Sequence, residues 1–98
     1  MSDKPVILIV DDDKNTRDGL QRALRRHYDV ITAESGESAL EALAGRPVDI
    51  MLSDMRMPGM DGLSLLKVVV KRYPQTLCIL LTAYGSVEAA VAAMKDGA

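Results

Sequence analysis

The sequence predicts an α/β fold: a doubly wound parallel sheet of four strands in the order 2-1-3-4, with helices on both faces. Three observations predict it. Short apolar runs alternate four times with amphipathic stretches, the pattern of parallel strands joined by crossover helices. The runs are continuously apolar, as strands are when both faces of the sheet are covered. Right-handed crossovers then restrict the topology to a doubly wound order.

Each element follows from local chemistry. The first strand is the run 5–10, Val6-Ile7-Leu8-Ile9-Val10, which leads straight into Asp11-Asp12-Asp13. The first helix is expected over 14–27, with Leu20, Ala23, Leu24 and His27 on one face at i, i+3, i+4, i+7 spacing. Asp13 is read as a turn residue or cap for it. A second strand covers 29–33 and a second helix 36–44, opened by Ser35 as N-cap with Glu37 in the first turn, and stopped by Gly45. The third strand, 48–53, closes in Asp54. The third helix, 62–73, is expected to bury Leu63, Leu66, Val70 and Tyr73, and Pro74 ends it. The fourth strand, 76–82, carries Cys78 as a buried structural thiol. A fourth helix, 86–96, starts at Ser86 with Glu88 in its first turn.

Composition narrows the class. The 98 residues make one domain, 1–98, and 48% apolar content supports a small packed core. A net charge of −2 argues against a free-standing nucleic-acid binder. No stretch is long enough to span a membrane and the start lacks a signal-peptide layout. One cysteine builds no disulfide framework, so a reducing cytoplasm is the expected compartment.

Buried strands that end in acid conflict with folding, because clustered carboxylates repel and resist desolvation. In the order 2-1-3-4, strands one and three are neighbours at the switch point, where such sheets bind ligands beyond their carboxyl ends. Asp11, Asp12 and Asp54 then meet, with Thr82 at the end of strand four. Three negative charges call for a cation, and all-oxygen ligands favour a hard one: Mg²⁺, or Mn²⁺ or Ca²⁺. The turn after strand one has no glycine-rich loop, which excludes a Rossmann or P-loop phosphate site. His27 is the only histidine and builds no multi-histidine metal site; it is read as packing at a helix end. Met51, Met55, Met57 and Met60 are read as core and loop packing. Arg22, Arg25 and Arg26 form a basic patch, by default a solvated face.

These residues resemble the receiver domain of bacterial two-component response regulators. Apolar strands closing in Asp11-Asp12, in Asp54 and in Thr82-Ala83 carry the resemblance. So does the loop Asp54-Met55-Arg56-Met57-Pro58-Gly59-Met60-Asp61-Gly62. The stretch from Leu81 to Ala98 looks most like the NtrC-like subgroup. The resemblance implies a flavodoxin-like (CheY-like) fold and a phosphoacceptor that takes a phosphoryl group from a sensor histidine kinase onto Asp54. Such a domain is not an enzyme in the usual sense, although it assists its own phosphoryl transfer and hydrolysis. Asp12 would bind Mg²⁺ (or Mn²⁺) directly, Asp11 chiefly through metal-bound water, and the backbone carbonyl of Arg56 would be a further ligand. Thr82 would hydrogen-bond the phosphoryl group, Ala83 would keep the pocket mouth small, and Arg22, Arg25 and Arg26 would dock the kinase. An output domain, ATPase and DNA-binding in NtrC-like proteins, would be the controlled partner.

Family members continue beyond the position of Ala98 into a fifth strand and helix, and that strand carries a lysine that pairs with the phosphoryl group. The 98 residues therefore read as a truncated receiver of four βα units with the fifth missing. Two expectations follow: phosphoryl uptake at Asp54 is weakened, and an uncovered sheet edge favours a homodimer or higher association. The alternative function is a phosphorylation-incompetent, receiver-like dimerisation or interaction module. An aspartate-nucleophile phosphatase is disfavoured, because such enzymes usually place an acid two residues past the nucleophile, where this chain has Arg56.

Overall fold

A computed structural model describes residues 4–54 and 62–81. Its elements are β1 (Val6–Val10), α1 (Lys14–Leu24), β2 (Asp29–Ala33), α2 (Gly36–Gly45), β3 (Ile50–Asp54), α3 (Gly62–Arg72) and β4 (Leu77–Leu81). All pairings are parallel and the strand order is β2-β1-β3-β4, as the alternation predicts. The expected helix over 86–96, with Ser86 and Glu88, and the residues Arg56, Thr82 and Ala83 lie outside the described residues.

β1 is the spine. Bonded to β2 and β3, it has four residues, Ile7 to Val10, with no solvent exposure. Side chains alternate across a strand, so β1 feeds two separate cores. Leu8 and Val10 join Ala39, Leu43, Met51, Leu65 and Val69 beneath α2 and α3. Ile7 and Ile9 join Leu20, Leu24 and Leu52 beneath α1. Met51 is therefore core, as expected.

The entry end of the sheet is tied by Asp49. Its N–H donates to the Val6 carbonyl at 2.9 Å, and its own carbonyl accepts the Leu77 N–H at 2.9 Å. Its carboxylate accepts the Val6 N–H at 2.7 Å. One residue thus links the starts of β1 and β4 across β3. The Thr76 hydroxyl adds a bond to the Val48 carbonyl at 2.7 Å.

The caps form where the sequence places them. The Ser35 hydroxyl accepts the Ser38 N–H at 3.1 Å, Glu37 lies in the first turn of α2, and that helix ends at Gly45. Two helical faces depart from expectation. α1 stops at Leu24, whose carbonyl accepts the N–H groups of both His27 and Tyr28 at 3.0 Å. That turn brings the Tyr28 ring against the α1-side core and leaves Ala23 and His27 exposed. In α3 the buried face is Gly62, Leu65 and Val69, whereas Leu63 and Val70 are 47% and 55% exposed. The helix is apolar on nearly every side, so two stripes fit the period. Ser64, Lys67 and Lys71, at i, i+3, i+7, mark the wet side and place the core opposite them. Tyr73 does pack on the core, while Leu66 is half-buried.

Cys78 is half-buried on β4 rather than fully enclosed, with its thiol 3.6 Å from the Thr76 carbonyl. Burial pushes its pKa up, so the thiolate is scarce and the residue acts as a small apolar side chain. Among the described residues, no helix is long and apolar enough to cross a membrane.

The two faces of the domain predict contrasting mutants. Leu52→Ala, at a site with no exposure, should cost about 2–5 kcal/mol in urea unfolding. Val70→Ala, on the exposed side of α3, should stay within about 0.5 kcal/mol of the parent.

Candidate functional site

The register of β1 on β3 builds the site. Ile7 pairs with Ile50 and Val10 with Ser53, so one step further along each strand Asp11 meets Asp54. The Asp11 N–H still donates to the Ala33 carbonyl of β2 at 3.1 Å, which carries β1's hydrogen bonding one residue past the strand. One carboxylate oxygen from each of Asp11, Asp12 and Asp54 lies within 4.8 Å of the others. The three differ in exposure: Asp11 is buried at 5%, Asp54 is intermediate and Asp12 is exposed.

Burial is the main reason the Asp11 pKa is raised above its ordinary 3.8. The Asp13 N–H, donated to Asp11 Oδ1 at 2.8 Å, opposes the rise, and the charges of Asp54 and Asp12 add to it. Asp13 belongs to the helix instead. It is the N-cap of α1, its carboxylate accepting the Thr16 hydroxyl at 2.7 Å and the Asn15 N–H at 3.3 Å. The Thr16 bond is the leading cause of its lowered pKa.

The sequence reading brought Asp11, Asp12 and Asp54 together, and the structure does the same. It missed Arg17, whose Nη1 donates to the Asp11 carbonyl at 2.6 Å. The available signal was its place one helical turn after the Asp13 cap, where a side chain reaches back toward the acidic turn. Arg22, Arg25 and Arg26 are exposed at the C-terminal end of α1, in the last turn, at the cap and just beyond. A depression of about 570 Å³ between the C-terminal ends of α2 and α3, lined in part by Arg46, Tyr73 and Pro74, lies at the other end of the sheet from the carboxylates.

Oxygen-only donors at this spacing suit a hard divalent cation, which offsets their mutual repulsion. A four-stranded parallel sheet in the order 2-1-3-4 with an acidic trio at the carboxyl ends of its two central strands defines a receiver-type class of domain. Residues 7–98 match the response regulator receiver domain, and the chain belongs to that family.

Its relatives place it near the NtrC group. It is 46% identical over 94 residues to the DNA-binding transcriptional regulator NtrC of Escherichia coli, covering 95% of this chain and 20% of that protein. It is 42% identical over 101 residues to the C4-dicarboxylate transport transcriptional regulatory protein DctD of Rhizobium meliloti, covering 100% of this chain and 22% of that one. The chain thus spans about a fifth of the length of these relatives. Among solved structures it resembles the response regulator TrrA of Thermotoga maritima in complex with Mg²⁺-BeF. The TM-score is 0.77 at 38% identity, over 82% of this chain and 70% of that one. A response regulator receiver protein from Pseudomonas putida matches with a TM-score of 0.78 at 28% identity, over 99% and 83% of the two chains.

The raised pKa of Asp11 fixes the sign of a stability effect. The folded state holds this proton to higher pH than the unfolded chain, so stability falls as pH rises from 3.8 through the raised value, and stays lower above it. Asp11→Asn removes the charge and keeps an acceptor for the Asp13 N–H. In EDTA at neutral pH it should melt at a higher temperature than the parent. The gap should close as pH falls toward 3.8, which thermal melts across pH will check.

Proposed function

We propose that this chain is the phosphoacceptor module of a two-component response regulator, taking a phosphoryl group from a sensor histidine kinase onto Asp54 with Mg²⁺ bound. The observation that carries the proposal is the graded exposure within the acidic trio. Asp11 is enclosed, as suits a ligand or an orienting group, while Asp54 keeps an open side at the end of β3. A nucleophile needs that open side for in-line attack.

In the transfer, an Asp54 carboxylate oxygen bonds to phosphorus while the phosphorus–nitrogen bond of the phosphohistidine breaks and imidazole leaves. The product is an acyl phosphate on Asp54. The unaided trio repels the incoming phosphoryl oxygens, and Mg²⁺ when bound neutralises that charge. Asp12 and Asp54 would hold the ion directly, and Asp11 through water. The Arg56 carbonyl, the Thr82 hydroxyl and Ala83 take ligand, phosphoryl-binding and lining roles by family resemblance, and they lie outside the described residues.

The exposed Arg22, Arg25 and Arg26 offer a positive surface to the kinase. Relatives named as transcriptional regulators, NtrC and DctD, support control of a transcriptional output domain. Phosphorylation adds about −1.5 to −2 of charge at the carboxyl end of the sheet, and that charge is the signal.

Incubation with Mg²⁺ and a small-molecule phosphodonor should yield a single phosphoryl adduct by intact-protein mass spectrometry. Asp54→Asn should abolish it, and so should EDTA. An adduct that persists in Asp54→Asn would place the chemistry elsewhere.

A further inference from the structure

The turn between β1 and α1 is held through the polar groups of Asp11. Asp11 gives its N–H to the Ala33 carbonyl at 3.1 Å, and its carboxylate takes the Asp13 N–H at 2.8 Å. That leaves its carbonyl, which lies past the end of the β1–β2 pairing at Val10 and Ala33. Arg17 supplies the partner, donating from Nη1 at 2.6 Å. Arg17 is itself fixed within α1, its N–H donating to the Asp13 carbonyl at 3.1 Å.

The effect falls on Asp12. The peptide before it is pinned at its oxygen by Arg17, and the peptide after it is pinned at its nitrogen by the Asp11 carboxylate. Asp13 beyond is committed to capping α1. Asp12 is thus an exposed carboxylate on a backbone hydrogen-bonded on both sides. A short, charge-assisted bond is about twice as strong as a neutral one, so the Arg17 contact is well suited to that task.

We propose that Arg17 is a positioning residue for the cation site: its bond to the Asp11 carbonyl sets the β1–α1 turn so that the Asp11 and Asp12 carboxylates converge with Asp54. This rests on the reading of the trio as a divalent cation site. The proposal opposes simple electrostatics, which makes it sharp. A guanidinium near a cation site repels the cation, so a purely through-space role predicts tighter Mg²⁺ binding when Arg17 is removed. A positioning role predicts weaker binding.

The test is a titration of the 98-residue chain with Mg²⁺ alone at fixed ionic strength, followed by amide NMR shifts. The variants are R17A, R17M, which keeps the aliphatic stem, and R17K. R17A and R17M should weaken Mg²⁺ binding about tenfold or more, the usual effect of losing a group that orients ligands. R17K, a point charge without the planar fork, should recover part of the loss. In the metal-free variants the amides of residues 11–13 should shift or broaden while those of β1 and β3 keep their positions. Binding by R17M equal to or tighter than the parent's overturns the proposal, as does a lowered melting temperature with an unchanged Mg²⁺ constant. Failure of the parent chain itself to bind Mg²⁺ overturns the cation site on which the proposal rests, a result distinct from both.

Discussion

Everything at the carboxyl end of this sheet depends on the register of β1 against β3. The pairing of Val10 with Ser53 delivers Asp11 and Asp54 side by side. A slip of one residue would turn every side chain of β1 to the wrong face, emptying Leu8 and Val10 from one core and Ile7 and Ile9 from the other. The apolar packing thus holds the acids together against their own repulsion. Hydrophobic burial in two separate cores is the force, and a crowded carboxylate cluster is the strain it sustains.

The strain is unevenly placed. Asp11 carries most of it through desolvation, eased by the Asp13 N–H. Asp12 and Asp54 keep contact with solvent. One buried acid and two wetter ones make a site that is rigid at its base and open at its mouth. The helix that follows begins on the same turn, so the Asp13 cap stabilises α1 and the site's backbone at once.

Much of this was legible in the sequence, for a physical reason. Continuous apolar runs and an abrupt change to acid are strong one-dimensional signals, so the strand order and the trio of Asp11, Asp12 and Asp54 followed from topology. Helix faces were less legible. α3 offers two apolar stripes, and only contact with the sheet selects Leu65 and Val69 over Leu63 and Val70. The end of α1 depended on Tyr28 displacing His27 from the core side, a competition that spacing alone does not resolve. Arg17 was harder to read because its partner is a backbone carbonyl, which carries no sequence letter, so spacing from the Asp13 cap was the one signal for it.

The tie at Asp49 has a consequence for how the domain works as a device. At the entry end of the sheet, a carboxylate is satisfied by a backbone N–H and its own peptide bridges β1 to β4. At the exit end, three carboxylates crowd within 4.8 Å of one another. The molecule therefore has a quiet pole and a loaded pole, set apart by the length of five-residue strands. Architecture is anchored at one and chemistry is concentrated at the other, so events at the loaded pole act on a frame fastened from the far side.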